Sequence, residues 1–154
     1  MADNQFDPFE DLQERIFEEI RAKYGETAFA RWQNPKLAGP LDNPDGYGRV
    51  TGSCGDTMEI FLRFEHGVVK EASFRTDGCG TSFICGSFAA ELALGRDPDG
   101  ATEITGETIL KVLGDLPEED RHCAFLAAAA LQEAMGNFLK PAEQASKASS
   151  PTLR

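Results

Sequence analysis

The chain has 154 residues and a formal net charge of −11, with 41% hydrophobic and 27% charged residues. This balance supports a buried core, and the acidic surplus without any Lys/Arg-rich run excludes a phosphate-neutralising nucleic-acid binder. No apolar run approaches the roughly 20 residues needed to cross a bilayer. The polar start from Met1 to Glu10 is unlike a secretory leader, so a cytoplasmic location is expected.

Asp7-Pro8-Phe9-Glu10 reads as a helix start, with Asp7 as cap and Pro8 at the first helical position. Phe9, Leu12, Ile16 and Ile20 then form one apolar stripe, and Gly25 ends the helix. A short second piece carries Phe29 and Trp32 up to Asn34-Pro35. From Asn34 to Gly55 the chain is rich in Gly, Pro, Asn and Asp, so loop is expected, with a short strand near Tyr47–Thr51. Met58 to Phe64 alternates as a strand, with Phe61 the exception. Glu65-His66-Gly67 turns the chain into a second strand, Val68 to Thr76, giving an antiparallel hairpin. Thr81 to Leu94 reads as a helix ended by Gly95, and Ile104 to Leu113 as a shorter one ended by Gly114. Pro117 is expected to open the last helix, whose buried stripe runs Ala127, Ala128, Leu131, Ala134, Met135 and Phe138. The chain divides into an N-terminal helical segment (1–33), a domain (34–139) and a disordered tail (140–154).

Four cysteines in a reducing compartment point to metal or redox chemistry rather than to disulfides. Cys54 stands between Ser53 and Gly55, and Asp56 would face the same side if this segment is extended. Cys79 lies between Gly78 and Gly80 where a strand meets a helix, and the glycines leave room for a close approach. Cys123 follows His122 near the start of the last helix. Helix N-termini favour thiolate over thiol, and soft thiolates select iron–sulfur clusters, zinc or copper(I). Three thiolates with one Asp or His suit a two-iron, two-sulfide cluster or a four-coordinate zinc site. The residue types leave that choice open, and a cysteine is also often a small buried hydrophobe. Cys85 fits that description, because six residues place it off the helical face of Cys79. His66, in a turn, reads as solvated.

The wording around the cysteines narrows the choice. Cys54-Gly55-Asp56-Thr57-Met58, Thr76-Asp77-Gly78-Cys79-Gly80 and His122-Cys123 with Leu126-Ala127 resemble the IscU/NifU-type iron–sulfur cluster scaffold family. Asn34-Pro35, Gly39 and the Gly48 to Gly52 run match as well, so the resemblance spans about Asn34 to Asn137. It implies a SufE/NifU-like α+β fold: a three-stranded antiparallel sheet with helices packed on one side and a long C-terminal helix. It also implies that Cys54, Cys79 and Cys123 hold a transient cluster, [2Fe–2S] by expectation, with zinc possible in the same place. Asp56 would keep the cluster labile and His122 would be an alternative ligand. The implied partners are a cysteine desulfurase as sulfur donor and apo iron–sulfur proteins as acceptors, with the scaffold a monomer or homodimer and not an enzyme. Leu116-Pro117-Glu118-Glu119-Asp120 departs from the Leu-Pro-Pro-Val-Lys that chaperone-served members carry, so a heat-shock chaperone is not expected as a partner. The rival readings are a zinc-bound sulfur-transfer protein that accepts persulfide and stimulates a desulfurase, and a structural zinc protein.

Overall fold

A computed structural model describes residues 8–34, 36–78, 80–114 and 116–139. Three strands, β1 (Gly46–Thr51), β2 (Thr57–Glu65) and β3 (Val68–Thr76), form an antiparallel sheet in the order β1-β2-β3. Period-two alternation sends Met58, Ile60 and Leu62 to one face, where each is fully buried. Phe74, paired opposite Ile60, joins them from β3. Burying side chains of this size contributes about 1.5–3 kcal/mol each. Phe61 breaks the alternation because the far face has its own cover. The Tyr47 ring lies 5.2 Å from that of Phe61, and the Arg75 guanidinium sits above it at 5.6 Å. The β2–β3 turn places His66 (φ 55°) and Gly67 (φ 82°) in the left-handed region that a two-residue hairpin turn requires.

The chain order of helices is α1 (Pro8–Tyr24), α2 (Glu26–Gln33), α3 (Gly80–Ala93), α4 (Pro98–Thr102), α5 (Gly106–Leu113) and α6 (His122–Leu139). The apolar face of the sheet is covered by α3 and α6, as expected, and the long C-terminal helix is present. Ala130, Leu131, Ala134 and Met135 of α6 are fully buried, and Phe138 stacks on Phe64 at 3.8 Å. Gly46 and Gly48 let β1 lie directly on this helix. A Cβ on Gly48 would come under 3.0 Å of the Ala130 carbonyl oxygen and the Ala134 nitrogen. The Asn137 amide then donates to the Tyr47 carbonyl at 2.5 Å and fixes the register of helix on strand.

Four elements differ from expectation. Of the stripe predicted on α1, Phe9, Leu12 and Ile16 point outward, 72%, 55% and 45% exposed, whereas Ile20 is half-buried and lines a hollow with Ala28 and Ile84. Phe17, outside the stripe, also packs inward, edge-on to Phe29 at 5.6 Å and to Trp32 at 6.1 Å. The last helix begins at His122 rather than Pro117, because Glu118–Asp120 form a separate 3₁₀ turn. The shorter helix starts at Gly106, after Thr105 and Thr108 close a reciprocal capping box, and α4 precedes it as an unanticipated turn capped by Asp97. The Asp7 cap and the tail from 140 onward lie outside the described residues.

Arg31 docks α2 on α3. It is 9% exposed, donates to Ser87 Oγ at 2.9 Å and Glu91 Oε1 at 2.8 Å, and lies 3.9 Å from the Phe88 ring centre. Among the described residues no helix is long and apolar enough to cross a membrane.

Candidate metal centre

Three backbone segments meet at one end of the sheet. The β1–β2 turn carries Cys54 and Asp56 and is closed by Gly52 N donating to Asp56 O (2.8 Å) and Gly55 N to Gly52 O (3.0 Å). Gly55 takes φ 95°, which a side chain would resist. Cys54 and Asp56 therefore share a turn and not an extended strand, so their proximity comes from the loop's own hydrogen bonds. The end of β3 is stitched to the start of β2: Thr76 Oγ1 donates to Thr57 O at 2.6 Å, and Thr57 N donates to Asp77 Oδ1 at 2.8 Å. Gly78 N donates to Thr76 Oγ1 at 3.1 Å, which holds the approach to position 79. Cys79 itself lies outside the described residues, between Gly78 and the start of α3 at Gly80. The third segment is the N-terminus of α6 with His122 and Cys123.

The side chains on these segments converge. Ser82 Oγ in the first turn of α3 lies 3.3 Å from Asp56 Oδ2 and 3.3 Å from Cys123 Sγ. His122 Nε2 is 3.7 Å from Cys123 Sγ, on an exposed ring. Cys54 is exposed, and its sulfur would lie 3.8 Å from a Cβ on Gly52, which itself faces Leu126 of α6 at 3.5 Å. Gly78 closes the floor: a Cβ there would meet Asp56 Oδ2 at 2.8 Å. Asp56 and Cys123 are thus joined through Ser82, with His122 beside Cys123 and Cys54 on the same turn as Asp56. Among the described residues no three His, Cys, Asp or Glu groups form a ready metal set. Cys85 is fully buried in the core, away from solvent.

Ser82 is the residue that sequence reasoning missed. Its signal was its place three residues beyond Cys79 in the sequence, in the first turn of α3.

Fold and site together define a small α+β domain in which a carboxylate and a thiol meet at one buried hydroxyl at the end of an antiparallel sheet. Residues 23–145 match the family model described as the NifU-like N terminal domain. The chain is 33% identical over 118 residues to the iron-sulfur cluster assembly scaffold protein IscU 1 of Archaeoglobus fulgidus, covering 76% of this chain and 77% of that protein. It is 32% identical over 120 residues to the iron-sulfur cluster assembly scaffold protein IscU of Escherichia coli, covering 75% and 93%. The crystal structure of a NifU-like protein (N-terminal) from Brucella abortus superposes with a TM-score of 0.59 at 22% identity, covering 77% of this chain and 96% of that one. The chain belongs to the NifU-like N-terminal domain family.

Proposed function

We propose that this chain is a scaffold on which an iron–sulfur cluster is built and from which it is passed to apo-proteins. Cys54, Cys79 and Cys123 hold the cluster, with Asp56 and His122 beside it. The observation that carries this reading is the Asp56–Ser82–Cys123 cluster at the junction of the β1–β2 turn, α3 and α6. It fits a family whose relatives are named as scaffold proteins.

The donor chemistry fits a cargo that must leave again. A permanent site is better served by four buried thiolates, whereas three thiolates with a replaceable carboxylate and an exposed edge bind a cluster loosely. Cys54, exposed at the tip of its turn, is the accessible thiol for sulfur arriving as a persulfide from a cysteine desulfurase. Reduction of that sulfur to sulfide needs two electrons from a separate donor, and iron comes from a further source. The compartment is reducing and cytoplasmic, and the scaffold domain is residues 34–139, with α2 docked on it through Arg31 and Ala28. The acidic turn Glu118–Asp120 disfavours a chaperone that selects basic apolar peptides.

Exposure of Cys54 also supports the second reading, zinc-bound persulfide acceptance that stimulates a desulfurase. Anaerobic reconstitution with iron, cysteine and a desulfurase separates the two. The scaffold reading expects visible charge-transfer absorption and transfer to an apo-ferredoxin, with slower transfer from Asp56→Ala at equal loading. A colourless zinc protein that only accelerates the desulfurase overturns it, and equal or faster transfer by Asp56→Ala overturns the role given to Asp56.

A further inference from the structure

Two prospective ligands from different elements are joined at one hydroxyl. Ser82 is fully buried, and its Oγ stands 3.3 Å from both Asp56 Oδ2 on the β1–β2 turn and Cys123 Sγ on α6. A serine hydroxyl has one hydrogen, so it donates to one of these acceptors at a time while remaining in contact with both. Gly78 packs against the same group: a Cβ there would lie 2.7 Å from Ser82 Oγ and 2.8 Å from Asp56 Oδ2. Cys123 has no exposed surface, whereas Cys54 is exposed. A metal ion that reaches Cys54 from solvent therefore finds the Cys123 sulfur covered and the Asp56 carboxylate drawn inward.

We infer that Ser82 is a positioning residue that latches the empty site: its hydroxyl holds Asp56 and Cys123 in a closed pair that must part before both can join a metal. The inference rests on the ligand roles proposed above. Opening the latch gives up one side-chain hydrogen bond in the empty protein, while the loaded protein, in which both groups face the metal, does not depend on it. The latch therefore slows capture and leaves release unchanged. That asymmetry separates it from a general packing role, which would lower stability without selecting one direction of the exchange.

The test is stopped-flow binding of Zn²⁺ alone to the full chain, comparing wild type with Ser82→Ala, Ser82→Thr, Gly78→Ala and Cys54→Ser. Ser82→Ala is expected to raise the association rate constant about fivefold, the factor for one net hydrogen bond of about 1 kcal/mol, with dissociation unchanged. Ser82→Thr, which retains the hydroxyl, returns association toward the wild-type rate. Gly78→Ala, whose methyl forces Ser82 and Asp56 apart, also accelerates capture and decides the matter should Ser82→Ala fail to fold. Association equal to or slower than wild type in a folded variant overturns the latch alone. Zinc binding by wild type that is absent, or indifferent to Cys54→Ser, overturns the ligand assignment and the latch with it.

Discussion

Substituting Gly48 by Ala tests how tightly the site's two halves are coupled. Gly48 lies in β1 and faces α6, where a Cβ would come under 3.0 Å of Ala130 O, Ala134 N and Glu133 Cβ. Two of these are backbone atoms of a helix, so no rotamer change can relieve the overlap. Contacts near 3.5 Å are restored only if α6 moves off the sheet by about 1 Å. Overpacking of this kind costs about 1–3 kcal/mol, and the rigidity of the blocking atoms puts this case at about 3 kcal/mol. For a chain of this size that corresponds to a fall in melting temperature of about 6–12 °C. The same movement carries Cys123, at the start of α6, away from Cys54, which β1 leads into, so zinc affinity falls as well. Urea unfolding monitored by circular dichroism measures the loss. Gly136→Ala on the same helix is the control: nothing lies within 4 Å of its Cβ, and it should gain about 0.5–1 kcal/mol. A loss under about 1 kcal/mol for Gly48→Ala, or an equal loss in both variants, refutes the reasoning.

Arg31→Met removes two hydrogen bonds and a ring contact from the α2–α3 junction. It should cost about 1–3 kcal/mol in urea unfolding, since Glu91 is half-exposed and Ser87 still donates to Lys36 O. Cys85→Ala should cost about 1 kcal/mol and leave cluster loading unchanged, because Cys85 is a core residue; lost loading would move it into the ligand set. Glu59 is held below the ordinary glutamate range, first by the hydrogen bond from Arg75, against a smaller opposing effect of burial and with a further bond from Tyr47. A depressed folded-state pKa stabilises at neutral pH, and that contribution disappears as pH falls from the unfolded value of about 4.3 through the folded one. Glu59→Gln should therefore be less stable than wild type at neutral pH, with the gap closing in acid; a gap of equal size at both ends would contradict this.

What the sequence made legible is what local pattern controls. Alternation located β2 and β3, terminating glycines at 95 and 114 ended α3 and α5, and the wording around Cys54, Cys79 and Cys123 pointed to the family. Less legible were features set by packing between distant segments. The Phe9–Leu12–Ile16–Ile20 stripe establishes that α1 is amphipathic but cannot say how much of it the body takes: Ile20 faces it, Phe17 joins from beside the stripe, and the first three stay exposed. Gly46 read as loop composition and Gly48 as part of a short strand, yet the role of both is to admit α6. Asp56 was expected beside Cys54 on an extended segment; the turn around Gly55 brings it instead to Ser82, a residue with no chemical signature of its own. The acidic residues after Pro117 form a 3₁₀ turn, so α6 opens at His122 and not at the proline.

The central claim is that the three cysteines carry an iron–sulfur cargo. The most direct measurement is the iron, sulfide and zinc content, with the visible spectrum, of protein purified without oxygen. The account predicts iron and acid-labile sulfide in equal amounts, visible sulfur-to-iron absorption, and loss of both in Cys54→Ala, Cys79→Ala and Cys123→Ala but not in Cys85→Ala. Iron-free protein with tightly held zinc that survives in all three variants would contradict it.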